Sequence, residues 1–295
     1  MRIAVAATPA IAIPSLEALM KRHEIVAVFT QPDKPYGRGQ RLRQSDVGTW
    51  AQSKGLPVFK ELTHPEILSA VDLVITVAYG VLVRDELLKL PRHGFINLHY
   101  SLLPRWRGAA PVQRALLAGD SETGVTIFKL DQGMDTGPIY IQRRLAIAPT
   151  WNSAELFDEL NVLGSSALLD ALDEIEQGRV PREQEGAATL APKIDKSEFH
   201  LDFYRPALEV HNRIRALFPH SYFLVQGERV KALTSREGEG CQAPAGSVIE
   251  QDPLTIACGD GRALIIERVV PEGKREMASG DWLRGARLEI GALVG

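Results

Sequence analysis

The chain has 295 residues, 45% of them hydrophobic, 24% charged and 6% aromatic, enough to bury a sizeable core and more than one domain. A formal net charge of −3 excludes global attraction to nucleic acid or an anionic membrane, so any nucleic-acid contact must rest on a local patch. Cys241 and Cys258 are the only cysteines, too few for a disulfide framework. No apolar run reaches transmembrane length and "MRIAVAATP" lacks the layout of a secretory signal; a reducing, cytoplasmic setting without membrane contact is expected.

Strand-like and helix-like segments alternate over the first part of the chain. "RIAVAA" (2–7), "EIVAVFTQ" (24–31), "DLVITVA" (72–78) and "FINLHY" (95–100) read as buried strands. "IPSLEALMKRH" (13–23), "SDVGTWAQSKG" (45–55) and "RDELLKLP" (84–91) between them carry helical spacing, with Ser, Asp or Pro near their starts. This alternation predicts an α/β domain with a mostly parallel sheet covered on both faces. A fourth helix, "APVQRALLAG" (110–119), a strand, "GVTIFKLD" (124–131), and a long helix over 154–177 complete a domain spanning 1–178. Periodicity fades over 179–204, which reads as a linker. Residues 205–295 open with a helix, "ALEVHNRIRAL" (207–217), and continue as five short strands, predicting a small β-barrel. Gly227-Glu228 and Asp260-Gly261 mark turns between them, the second a type I′ hairpin signal.

Ligand sites in doubly wound sheets lie at the carboxyl ends of strands. Asn97 and His99 stand two apart at such an end and so share one face of their strand. Asp135, bracketed by Gly133 and Gly137, follows another strand. An amide donor, an imidazole and a carboxylate are what acyl transfer to an amine requires: a fixed donor for the carbonyl oxygen, and a group that moves protons. Taken alone, each residue is equally at home as a satisfied polar group or a turn former. Other chemistries lack their patterns. Ser101 has no GxSxG around it, "AATPAIAIPS" after the first strand is not GxGxxG, and the histidines show no HExxH or Cys/His spacing for a metal. The stretch "QPDKPYGRGQRLRQ" (31–44) is locally basic, with Lys34, Arg38, Arg41 and Arg43 against Asp33. Its prolines and glycines predict a loop at the same sheet edge, able to hold a phosphate backbone.

"INLHYSLLPRWRGAAPVQRALLAGDSETGVTI" followed by "DQGMDTGPIY" resembles the signature of the folate-dependent formyltransferases. With "TQPDKPYGRGQRL" and the C-terminal "RIRALFP", the resemblance covers nearly the whole chain and is nearest the branch acting on charged initiator tRNA. It implies a Rossmann-like N-terminal domain joined to an OB-like β-barrel. It also implies 10-formyltetrahydrofolate as formyl donor, without a metal, and the α-amine of methionyl initiator tRNA, bound through its acceptor stem, as recipient. Carried over by position, it makes Asn97, His99 and Asp135 catalytic, gives Ser101, Leu102, Leu103 and Pro104 to the folate site, and assigns Lys34, Arg38, Arg41 and Arg43 to tRNA. A monomer is expected. Family relatives that formylate sugar nucleotides or hydrolyse 10-formyltetrahydrofolate would share the same trio; the arginines of 31–44 favour nucleic acid. The chain departs from the family pattern at "AATPAIA", at Tyr100, and at "FPHSYF". Strand alternation should turn Tyr100 away from Asn97 and His99.

Overall fold

The computed structural model describes residues 1–36, 40–286 and 288–295. In chain order the N-terminal elements are β1 (Arg2–Ala7), α1 (Ile13–Met20), β2 (Glu24–Phe29), β3 (Lys34–Tyr36), β4 (Arg41–Arg43), α2 (Asp46–Ser53), β5 (Val58–Phe59), α3 (Pro65–Ser69), β6 (Leu73–Val77) and α4 (Asp85–Leu88). They continue with β7 (Phe95–His99), β8 (Arg107–Gly108), α5 (Pro111–Leu117), β9 (Glu122–Lys129), β10 (Ile139–Ala146), α6 (Ser153–Glu176) and β11 (Leu190–Ala191). The remaining elements are α7 (Ala207–Ala216), β12 (Tyr222–Val225), β13 (Glu228–Gly240), β14 (Val248–Gln251), β15 (Leu254–Ala257), β16 (Arg262–Pro271), β17 (Met277–Ala278) and α8 (Ser279–Ala286). Two compact units result: residues 1–111, 122–146 and 157–191 form one, and residues 112–121, 147–156 and 192–295 the other. The stretch expected as a linker thus divides at 191/192, and its first half belongs to the unit that contains residues 1–111. Among the described residues no helix is long and apolar enough to cross a membrane.

The first unit is a Rossmann-like seven-stranded sheet in the order β10-β9-β7-β6-β1-β2-β5. Five strands are parallel, while β9 runs antiparallel to β7 and β10 antiparallel to β9. Central strands buried on both faces need apolar side chains at every position. β6, Leu73–Val77, is accordingly buried throughout, and β1 is buried from Ile3 to Ala7. The chain passes from β1 to β2 on one side and later to β6 on the other, which makes the carboxyl ends around β1 and β6 the switch point of the sheet. α6 lies close against β7, since a Cβ on Gly164 would stand 3.0 Å from Leu98 Cδ1. Residues 34–43, a loop by their composition, instead begin and end as a two-stranded antiparallel ribbon, β3 with β4, in the register Lys34↔Arg43. Pro35 is tolerated because an isolated ribbon leaves one side of each strand without a ladder to complete.

The second unit holds an antiparallel sheet in the order β12-β13-β16-β15-β14, with β17 on β16. Register shifts along β13 at Ala232/Thr234, Thr234/Ser235 and Glu237/Gly240 bend it, and the sheet curls into an OB-like half-barrel. Val230, Ala232, Leu254, Ile256, Leu264 and Ile266 fill the concave side together with Val210 and Ile214 of α7 and Trp282 of α8. The hairpin turn with two left-handed residues falls at Gln226-Gly227, joining Val225 to Glu228, and not at Asp260-Gly261. At the second bend only Gly261 has positive φ. Asp260 serves as an acceptor instead, from Arg262 N at 3.2 Å and Ala207 N at 3.2 Å.

Candidate active site

Alternation along β7 sets Asn97 and His99 on one face and Leu98 and Tyr100 on the other. Leu98 lies under Gly164 of α6, and the Tyr100 hydroxyl donates to Asn161 Oδ1 of the same helix at 2.8 Å. Tyr100 is therefore turned away from Asn97 and His99, and burial pushes its phenol above the ordinary range. Asn97 pairs in register with Thr76 of β6, and its Nδ2 donates to Thr76 Oγ1 at 2.8 Å. That hydroxyl spends its own proton on the Ile96 carbonyl, at 3.1 Å, so only a donor suits it. The amide is fixed with Nδ2 toward Thr76, and the second hydrogen on Nδ2 is left for another acceptor.

His99 is 6% exposed, and its Nε2 lies 2.8 Å from the Trp106 carbonyl oxygen. A carbonyl only accepts, so Nε2 carries a hydrogen and the nitrogen with a choice of state is Nδ1. Nδ1 stands 3.6 Å from Asp135 Oδ2, an ion-pair distance when the ring is protonated. The same Oδ2 accepts from Gly108 N at 2.8 Å. Gly108 has φ +124, and a Cβ there would stand 2.8 Å from the Ala191 carbonyl oxygen, so only glycine permits this approach. Asp131 shapes the preceding loop by accepting from Gly133 N and Thr136 Oγ1. Ala78, Trp106 and Asp135 have φ of +47, +63 and +56, three of the five described non-glycine residues in the left-handed region. Such strain gathers where surrounding structure over-determines a site.

Asn97, His99 and Asp135 line one cavity of about 460 Å³, together with Thr76, residues 78–83, Gly108 and residues 130–134 in part. Val81, Leu82 and Met134 give it an exposed apolar rim. Ser101, Leu102, Leu103 and Pro104, expected on sequence grounds at the folate site, are not in this lining. Ser101 is fully buried and donates to the Arg105 carbonyl, and Leu103, 3% exposed, packs against Phe128 and Ile139. They form part of the turn that leads from His99 to Trp106. On the basic ribbon, Lys34 Nζ donates to Gln31 Oε1 at 2.6 Å and Arg43 pairs with Asp46 at 3.1 Å. The backbone of Arg41 belongs to β4, and Arg38 lies outside the described residues.

Sequence reasoning missed Thr76, the Trp106 carbonyl, Gln184 and Thr189. Thr76 becomes visible only once the register of β6 on β7 is known, and a backbone carbonyl leaves no trace in a side-chain pattern. Gln184 and Thr189 sit in the unperiodic stretch that reads as a linker.

Against known proteins, the formyl transferase family matches residues 1–172 and the formyl transferase C-terminal domain matches residues 193–287. A methionyl-tRNA formyltransferase from Thermus thermophilus is 44% identical over 306 aligned positions, covering 100% of this chain and 99% of the relative. One from Jannaschia sp. is 41% identical, covering 100% of both. Among solved structures, an N-formyltransferase from Helicobacter canadensis in complex with folinic acid and dTDP-3-aminofucose superposes with a TM-score of 0.70. At 21% identity over 90% of this chain and 98% of that one, it attests the shared fold. With both of the family's domains matched and its whole length aligned to such relatives, the chain is a member of the formyl transferase family.

Proposed function

We propose that this chain transfers the formyl group of 10-formyltetrahydrofolate to the α-amine of methionine carried by initiator tRNA. The chemistry rests on one observation: an amide with a spare hydrogen on Asn97 and the Nδ1 of His99, 3.6 Å from the Asp135 carboxylate, line one cavity. The acceptor is supported by the end-to-end likeness, at 44% and 41% identity, to proteins named for methionyl-tRNA, against 21% for the Helicobacter canadensis N-formyltransferase. A folate fits the cavity on the cavity's own terms. Its volume is within the range of small-molecule sites, and Val81, Leu82 and Met134 offer apolar faces to a flat heterocycle. With both cysteines free, the chain suits the reducing cytoplasm in which translation starts.

In the transfer, the amine nitrogen bonds to the formyl carbon, the bond from that carbon to N10 breaks, and one proton passes from amine to N10. The carbonyl oxygen gains charge on the way. The second hydrogen of Asn97 Nδ2 meets that charge, already oriented by Thr76 and needing no reorganisation. With Nε2 committed to Trp106, Nδ1 is the nitrogen of His99 that holds or yields a proton, and Asp135 balances the imidazolium. Contact with the oxyanion and pairing with Asp135 both fall on that one nitrogen. Lys34, Arg38, Arg41 and Arg43 supply the cationic contact to the acceptor stem, together with the C-terminal sheet.

The test offers the purified chain 10-formyltetrahydrofolate with initiator methionyl-tRNA, an elongator methionyl-tRNA and an amino-sugar nucleotide, each scored by mass for the gain of CO. Gain on the initiator tRNA is expected. Gain on the sugar alone, or release of formate with no acceptor modified, overturns the reading.

A further inference from the structure

The segment 182–191 follows the long helix and reads from sequence as a linker, yet the hydrogen bonds of Gln184 and Thr189 lead to the catalytic cavity. Arg182 and Ile139 exchange backbone bonds of 2.6 and 2.9 Å at the start of β10, just past the Asp135 loop. Gln184 Nε2 donates to both the Asp135 and Gly137 carbonyl oxygens, at 2.9 and 2.8 Å. Its Oε1 accepts from Arg107 Nη2 at 2.7 Å and Nε at 3.2 Å. A guanidinium only donates and backbone carbonyls only accept, so the amide has one orientation that satisfies all four bonds. Thr189 Oγ1 accepts from Trp106 N at 2.9 Å, and its backbone N–H and carbonyl bond Pro104 O and Arg107 N. β11 then pairs in parallel with β8, setting Leu190 against Arg107 and Ala191 against Gly108.

The partners on the other side of these bonds are the groups that hold the site. Trp106 gives its carbonyl to His99 Nε2 and Gly108 gives its N–H to the Asp135 carboxylate. Trp106 and Asp135 are both in the left-handed region, where a non-glycine residue stays only if its surroundings insist. We propose that Gln184 and Thr189 are positioning residues for the transfer: Gln184, braced by Arg107, sets the Asp135 carboxylate opposite His99, and Thr189 sets the Trp106 carbonyl that fixes the His99 ring. The segment is a strap over the site rather than a connector. This rests on the roles given above to His99 and Asp135.

The test compares Gln184→Glu, Gln184→Ala, Thr189→Val and Thr189→Ser in the full chain by steady-state kinetics and thermal unfolding, with Asp135→Asn and His99→Asn as controls. Gln184→Glu keeps the pairing with Arg107 but cannot donate to two carbonyls, and Thr189→Val keeps the shape but removes the acceptor. Both should lower kcat about ten- to a hundredfold, the effect of a displacement near 1 Å, with KM for both substrates nearly unchanged. Thr189→Ser retains the acceptor and should restore kcat. Folded Gln184→Glu and Thr189→Val proteins with kcat within about twofold of the parent, beside inactive controls, overturn the strap. Active controls overturn instead the assignment of His99 and Asp135.

Discussion

Asn97 and Thr76 face each other across β7 and β6, and a single bond of 2.8 Å from amide to hydroxyl decides which end of the amide enters the cavity. Replacing Thr76 by Val keeps volume and β-branching and removes only the acceptor. The freed amide should lower kcat about ten- to a hundredfold through misorientation, while Asn97→Ala should cost about 10²–10³ by removing the donor. Single-turnover formyl transfer measures both. Equal rates for Thr76→Val and the parent would mean the amide is oriented by something else.

Tyr79 presents its carbonyl to two side chains, Gln31 Nε2 at 2.8 Å and Thr8 Oγ1 at 3.1 Å, and so ties the cavity wall 78–83 to the ends of β2 and β1. Gly80 next to it has φ +76, and a Cβ there would stand 2.8 Å from Gln31 Nε2. Gly80→Ala meets backbone strain of about 1–3 kcal/mol and displaces Gln31 at once. The expected outcome is a severalfold rise in KM for the formyl donor, with tRNA KM less affected, read from initial rates at varied concentrations of each substrate.

The positive charge of residues 34–43 should act at a distance on tRNA and hardly at all on folate. For Arg38→Ala and Arg43→Ala, the plot of log affinity for initiator tRNA against log salt should flatten by about 0.7–0.9 for each phosphate no longer neutralised. Folate binding should hold. A matching fall in folate affinity by fluorescence titration would assign these side chains to the donor site instead.

His211 of α7 is buried, with Nδ1 2.9 Å from Ser235 Oγ; burial first, then the nearby Arg215 cation, hold its pKa below the ordinary imidazole value. A hydrogen bond to the Pro149 backbone, then Glu237 and Glu267, pull the other way. The native protein therefore keeps this ring neutral at pH values where the unfolded chain binds a proton. Stability is present in full above about pH 6.5 and declines as pH falls below it toward the depressed native value. Urea midpoints should drop between about pH 7.5 and 5, and His211→Gln should flatten part of that slope. His23 and His220 shift in the same direction and contribute the remainder.

Arg114 and Glu198 form a two-bond pair at 2.7 and 2.9 Å, with side chains 17% and 25% exposed, and Arg114 also donates to the Pro192 and Lys193 carbonyls. The guanidinium holds the Glu198 carboxyl below the usual carboxylate range, so this contribution persists above that range and fades as pH falls through the native value. Arg114→Ala should destabilise by about 1.5–3 kcal/mol, measured by denaturant unfolding at neutral pH, and by less in acid.

Period and alternation made much of this molecule legible. The runs at 2–7 and 72–78 are mostly apolar, and 95–100 is apolar apart from Asn97 and His99, because they are the central strands, and α6 matches its expected span within a residue at each end. Asn97, His99 and Asp135 come together in one cavity, and strand ends and glycine-flanked loops are where a doubly wound sheet exposes polar groups. What escaped the sequence is what depends on pairing between distant segments. β10 alternates Ile, Ile and Leu with Tyr, Gln and Arg, yet its antiparallel role follows only from its ladder to β9. β11 is two residues long and has no period to detect. Residues 101–104 lie close to His99 in sequence, but Ser101 and Leu103 are buried and none of the four lines the cavity.

The parallel pairing of β8 with β11 joins chain positions far apart, with Trp106 and Thr189 separated by 83 residues. On the ribosome, the three polar side chains of the site emerge well before the stretch that secures them. A nascent enzyme interrupted before that stretch would hold all of its chemistry but lack the braces on Trp106 and Asp135, so competence arrives late in synthesis, when the chain doubles back over its own beginning.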